Sequence, residues 1–82
     1  MIDKVQLGKK YRLIDVECFL GGLNPIYNRH LLDAGVFDSE DCVVIDEVDD
    51  GLGYCWGIPV IHKDEYKYFE LIEENKDLER LR

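Results

Sequence analysis

The sequence predicts a small, mainly β fold of the barrel or roll type, SH3-like, with one short α-helix inserted after the first strand. Residues 42–48 and 54–62 are rich in branched and aromatic side chains, which is typical of β-strands. Residues 24–35 carry the signals of a helix start and a helix end. In a chain of 82 residues, four or five short strands usually close around one core, because closure removes exposed sheet edges. A small α+β fold is the alternative.

The first strand is predicted over residues 11–16, after a turn at Gly8. Its alternation places Tyr11 and Leu13 on one face and Ile14 and Val16 on the other.

The inserted helix is predicted between Asn24 and Gly35. Asparagine is a favoured N-cap residue, and Pro25 suits the first turn because its missing N–H would have no partner there. Glycine is common directly after the last turn. Helical spacing predicts one packed side, made of Ile26, Tyr27, His30, Leu31 and Ala34.

The segments 42–48 and 54–62 are predicted to pair as a hairpin across "DDGLG". Asp-Gly is a favoured turn pair because both residues tolerate a positive φ, and a connection of four or five residues is expected. Pro59 has no N–H to donate, so it indicates a bulge or an edge strand. The expected register brings the following side chains to face one another: Val43 and Ile45 with Ile58 and Val60.

After a turn at "HKDE", the segment "YKYFELIEE" is interpreted as a last strand, or as a strand with a helical turn. Residues 1–75 are predicted to form a single β-rich domain, and the charged tail 76–82 to be frayed or disordered. No apolar stretch approaches the length of a membrane span, so a cytoplasmic protein without membrane contact is expected.

Charge restricts the classes of partner. The net charge is −8 and the pI is about 4.5, which disfavours direct binding to a nucleic acid backbone. Residues 34–62 contain no lysine or arginine, and residues 33–62 contain eight acids. Such a one-sided field either only solubilises the molecule or steers a partner with a basic surface.

Six residues form the predicted partner-binding site. Four carboxylates crowd together although like charges repel, and two aromatic residues follow them directly. Acids provide steering and specificity, and exposed aromatic side chains provide most of the affinity in protein interfaces. Trp56 could equally be the core aromatic residue of a small barrel. The predicted set is Asp46, Glu47, Asp49, Asp50, Tyr54 and Trp56.

The sequence therefore predicts a small acidic protein-binding module. The alternative is a nucleic-acid mimic that occupies the DNA- or RNA-binding cleft of an enzyme. The two functions differ in the spacing of the carboxylates they require, because a mimic presents them at phosphate-like intervals along a ridge.

Neither a metal site nor an enzyme is predicted. In a calcium loop that begins at Asp46, position three is Val48 and position twelve is Gly57, where oxygen ligands are required. No motif for a nucleophile, a phosphate-binding loop or a zinc protease is present. The three cysteines have no C-x-x-C spacing, so they are interpreted as small buried apolar residues: Cys18, Cys42 and Cys55. No cofactor is expected.

The segments "LGKKYRLID" and "YKYFELIEE" resemble the ends of small bacteriophage accessory proteins with an SH3-like barrel. In those proteins a glycine-containing turn leads into the first strand, and an aromatic-rich last strand closes the domain. The resemblance implies a non-enzymatic binding module that modulates or inhibits a host protein in the host cytoplasm.

Overall fold

The computed structural model describes residues 2–72, and the predicted tail 76–82 lies outside them. Two three-stranded antiparallel sheets and several short helices make a small α+β fold. The elements, in chain order, are β1 (Lys10–Leu13), α1 (Val16–Gly21), α2 (Pro25–Asp33), β2 (Cys42–Val44), β3 (Glu47–Asp49), β4 (Leu52–Cys55), β5 (Ile58–Ile61), a 3₁₀-helix (Lys63–Tyr68) and β6 (Phe69–Ile72).

The first sheet has the strand order β2-β1-β6. Tyr11 and Leu13 of β1 are buried, as the alternation predicts. The strand ends at Leu13 and not at residue 16, because Asp15 caps a helix that the sequence reading missed. The Asp15 carboxylate accepts a hydrogen bond from the backbone N–H of Cys18 at 3.1 Å, and α1 begins there.

Helix α2 confirms the predicted helix. Pro25 is its first residue, and Gly35 follows it with a φ of +78°. The predicted packed side is partly wrong: Leu31 is buried, but Ile26 is 75% exposed and Asn28 is buried. Asn28 turns inward because its amide meets buried acceptors.

The predicted pairing of 42–48 with 54–62 is only partly right: a hairpin across the Asp-Gly turn forms with Glu47 opposite Tyr54, but Val43 and Ile45 do not face Ile58 and Val60. The first segment divides between the sheets: Val43 of β2 pairs with Tyr11 of β1, whereas β3 pairs with β4. Ile45 stays with the N-terminal segment, since its N–H donates to Lys9 O at 3.0 Å and its carbonyl accepts from Gly8 N–H at 2.7 Å. The second segment folds back on itself, so that β4 pairs with β5.

A closed barrel is therefore not formed by residues 2–72, and the α+β alternative describes them better. The second sheet has the order β3-β4-β5, with β3 and β5 as its edges. Pro59 lies in the edge strand β5, and the register shifts between Gly53 and Tyr54 opposite it. The missing N–H of proline predicted a bulge or an edge position, and both are present.

One hydrophobic core joins the sheets and helices. Phe19 of α1 lies edge-on to Phe37 and Phe69, with ring centroids 5.9 and 5.7 Å apart respectively. Cys42 and Cys55 are buried, as predicted, but Cys18 is exposed on α1. Among residues 2–72, no helix is both long enough and apolar enough to cross a membrane.

Candidate functional site

The Asp-Gly turn between β3 and β4 is a two-residue turn. Asp50 and Gly51 have φ values of +52° and +80°, the left-handed pair that defines the type I′ hairpin. The predicted turn chemistry is confirmed, although the connection is shorter than the four or five residues expected. The hydroxyl of Tyr66 in the 3₁₀-helix donates a hydrogen bond to the carbonyl of Gly51, which fixes the turn to the body of the protein.

A second turn of the same kind joins β4 to β5. Trp56 and Gly57 have φ values of +58° and +75°, and the Trp56 side chain is 66% exposed. The Asp46 carboxylate accepts a hydrogen bond from the backbone N–H of Trp56 at 3.0 Å. Interpretation of Trp56 as a core residue is therefore wrong, and Asp46 has a structural partner that the sequence did not indicate.

The six predicted residues lie in the edge strand β3, in the central strand β4 and in the residues next to these two strands, and we call this set the acidic strip. Glu47 is paired with Tyr54 across β3 and β4, so their side chains lie on the same face. Asp46 and Trp56 lie at one end of the strip, and Asp50 at the other. Asp46 and Asp50 are four residues apart along the strand, so the two ends are separated by roughly 13 Å, at about 3.3 Å per residue. The complete set is Asp46, Glu47, Asp49, Asp50, Tyr54 and Trp56.

The acids of the strip differ in their partners. Asp46 is held by Trp56 N–H, and Asp50 lies 3.5 Å from the Lys63 ammonium group in an exposed ion pair. Within residues 2–72, the carboxylates of Glu47 and Asp49 have neither a hydrogen-bond partner nor an ion pair. These two exposed carboxylates are the free charge of the strip.

Outside the strip, Asp38 lies in the segment 34–62, which has no lysine or arginine, and its carboxylate stabilises a loop. Its Oδ1 accepts hydrogen bonds from the backbone N–H groups of Cys42 and Glu40, at 3.0 and 2.8 Å. These bonds, with Lys10 nearby, hold the pKa of Asp38 below its ordinary value. Part of the acid surplus is thus explained by loop structure.

Sequence reasoning missed a buried polar cluster between α2 and the 3₁₀-helix. Asn28 Nδ2 lies 2.8 Å from both Glu65 Oε2 and the carbonyl oxygen of Phe19. Glu65 Oε1 accepts from the backbone N–H of His62 at 3.4 Å and lies 3.2 Å from His62 Nδ1. The His-x-x-Glu spacing of a capping box was the one signal that could have indicated it.

This cluster holds the 3₁₀-helix against the two α-helices. Glu65 is 1% exposed and also lines a groove of about 370 Å³. Burial raises the pKa of the neighbouring Tyr27, and the nearby Glu65 charge raises it further. The groove is bordered by Gly22, Leu23, Asp64, Lys67 and Tyr68.

Chemistry at the thiols is disfavoured by their surroundings. Burial raises the pKa of Cys42 and of Cys55, and a hydrogen bond with Asp15 raises the pKa of Cys18. Within the described range, no three His, Cys, Asp or Glu side chains are placed to hold a metal ion.

The chain matches no protein-family model, no curated protein and no solved structure.

Proposed function

We propose that this protein is a small acidic protein-binding module whose acidic strip contacts a partner with a basic surface. The observation that carries the proposal is Trp56. It is a large aromatic side chain, 66% exposed, on a backbone with a φ of +58°. A bulky residue is a rare outlier at positive φ, whereas asparagine or glycine fits there without strain.

Strain of this kind is typical of functional positions. The fold does not need an indole at this place, because the ring is mostly exposed and its turn is fixed by Asp46 and Gly57. Tryptophan is among the side chains that contribute most to binding in protein interfaces. Trp56 therefore supports a contact role better than a packing role.

Charge supports the same surface. Glu47 and Asp49 are exposed in β3 and have no basic partner in the described part of the chain, and the strip lies in a segment without lysine or arginine. Free carboxylates beside an exposed aromatic residue combine long-range steering with short-range affinity.

The test is affinity capture from a cell lysate, followed by kinetics with the captured protein. The variant E47K/D49K reverses the two free charges, and D33K/E40K is the matched control, because it changes the net charge equally at exposed acids outside the strip. We expect E47K/D49K to slow association at least tenfold in low salt, and Trp56→Asn to speed dissociation. Equal kinetics for the wild type, E47K/D49K and Trp56→Asn would contradict the proposal.

Nucleic-acid mimicry is the alternative use of the same surface. Two of the strip's four carboxylates already have partners, which leaves Glu47 and Asp49 free and favours the module. Competition between DNA and this protein for the captured partner would support the mimic. The role of a phage-encoded modulator or inhibitor stays a prediction from the resemblance.

A further inference from the structure

We propose that β3 binds its partner by strand addition: an extended segment with basic residues at alternate positions pairs with the free edge of this strand. The inference rests on the proposed function, because it specifies how the acidic strip binds and which class of segment it takes.

The free edge follows from the register of the hairpin. Asp49 and Leu52 flank the two-residue turn, so they form a hydrogen-bonded pair. The next pair, Val48 with Gly53, is consequently not hydrogen-bonded, and the N–H and C=O of Val48 point away from β4. No hydrogen bond from a described residue reaches these two groups. All three residues of β3 are exposed.

The opposite edge of the same sheet is closed. Pro59 in β5 has no N–H, and its carbonyl oxygen accepts a hydrogen bond from the Tyr27 hydroxyl at 2.6 Å. At Pro59, β5 therefore presents neither a free donor nor a free acceptor, whereas β3 presents both at Val48.

Charge specifies the occupant. Glu47 and Asp49 lie on either side of Val48 in the sequence. Their side chains are on one face of β3, and the Val48 side chain is on the other. A residue directly across an antiparallel pair lies about 5 Å away, so lysine or arginine on either side of the residue opposite Val48 meets these carboxylates. A second copy of this chain would place acid against acid in a molecule of net charge −8. The occupant is therefore a basic extended segment and not a second copy.

The test uses the full chain, isotopically labelled for NMR, and a synthetic acetylated peptide of alternating lysine and valine. We expect saturable one-to-one binding that shifts the backbone amide resonances of β3 most strongly.

Val48→Pro removes the outward N–H without removing a bond to β4, and an edge strand tolerates proline at such a position. We expect it to weaken binding about tenfold relative to Val48→Thr, which keeps the N–H.

A second measurement leaves the protein unchanged. Methylation of the valine amide nitrogens in the peptide removes the donors that face Val48 and keeps the charge, so binding should fall by a similar factor. A peptide with the same composition in separate lysine and valine blocks should bind more weakly than the alternating one.

The outcomes separate the two proposals. If neither Val48→Pro nor amide methylation weakens binding, while E47K/D49K does, the acidic strip is a binding surface and strand addition is wrong. If E47K/D49K and Trp56→Asn also leave peptide and partner binding unchanged, both proposals are wrong.

Discussion

Trp56 combines a left-handed backbone conformation with a mostly exposed side chain. An L-residue in the left-handed region is strained by its Cβ, whereas asparagine adopts that region routinely and Asn-Gly is a favoured type I′ pair. With Gly57 already in place, Trp56→Asn creates that pair between β4 and β5.

We expect Trp56→Asn to raise the free energy of unfolding by about 0.5 kcal/mol, since it relieves strain and loses only a mostly exposed ring. Urea denaturation followed by circular dichroism measures the change. Trp56→Ala is the control, because it removes the ring without supplying the short polar side chain that stabilises the left-handed region, and it should be less stable than the asparagine variant. A loss of stability in Trp56→Asn would show that the ring holds the turn.

A second residue-level prediction concerns pH. The pKa of Asp38 is lowered by the N–H groups of Cys42 and Glu40, so its charged form stabilises the fold. That contribution is present above the ordinary aspartate pKa of about 4, and it is lost as the pH falls through the lower pKa of the folded state.

Asp38→Asn should therefore lower the Tm at pH 7, and its difference from the wild type should shrink as the pH falls below about 4. Thermal unfolding at pH 7 and at pH 3 measures this. Asp33→Asn, at an exposed acid that ends α2, should show a smaller change at both values. A Tm difference between Asp38→Asn and the wild type that is the same at both pH values would contradict a role for the charge of Asp38.

At the scale of the element, α2 is fixed by a polar contact rather than by an apolar stripe alone. Asn28 donates to Phe19 O and to the Glu65 carboxylate, and all three are buried. Removing the amide leaves a buried carboxylate and a buried carbonyl without this donor, which is costly in a low-dielectric interior.

We expect Asn28→Ala to lower the free energy of unfolding by about 2–4 kcal/mol. Asn24→Ala, one helical turn earlier, should lower it by less than about 0.5 kcal/mol, because the Asn24 side chain makes no capping hydrogen bond. Chemical denaturation of both variants compares the same substitution in one helix. Similar losses for the two would contradict a role for the buried contact, because alanine has the higher helix propensity and does not itself destabilise the helix at residue 28.

The elements that local chemistry specifies could be predicted from the sequence. Asn24, Pro25 and Gly35 located α2, Asp50–Gly51 located a turn, and Pro59 indicated an edge strand. In each case one residue's backbone preference decides the structure. Of the predicted site, Glu47, Asp49 and Trp56 are exposed, and their role as a contact surface stays a prediction.

The missed features depend on contacts distant in sequence or on strained residues. Tryptophan is not a typical turn residue, so the sequence did not indicate the turn at Trp56 between β4 and β5. The Asn28–Glu65 contact joins residues 37 positions apart and leaves no local periodicity. The alternation in residues 42–48 is the same whether that segment forms one strand or two strands in different sheets.

At the scale of the whole molecule, the two sheets differ in how far apart their strands lie along the chain. The second sheet is contained within residues 47–61, each strand joined to the next by a two-residue turn. The first sheet pairs Lys10 with Ile72 and Leu13 with Phe69, and so joins the two ends of the described chain.

The second sheet is therefore expected to form faster than the first sheet. Closing a two-residue turn costs little loop entropy, whereas bringing β1 to β6 requires a loop of more than fifty residues to close. We infer that the second sheet, with its acidic edge, forms early, and that docking of β6 beside β1 limits the folding rate.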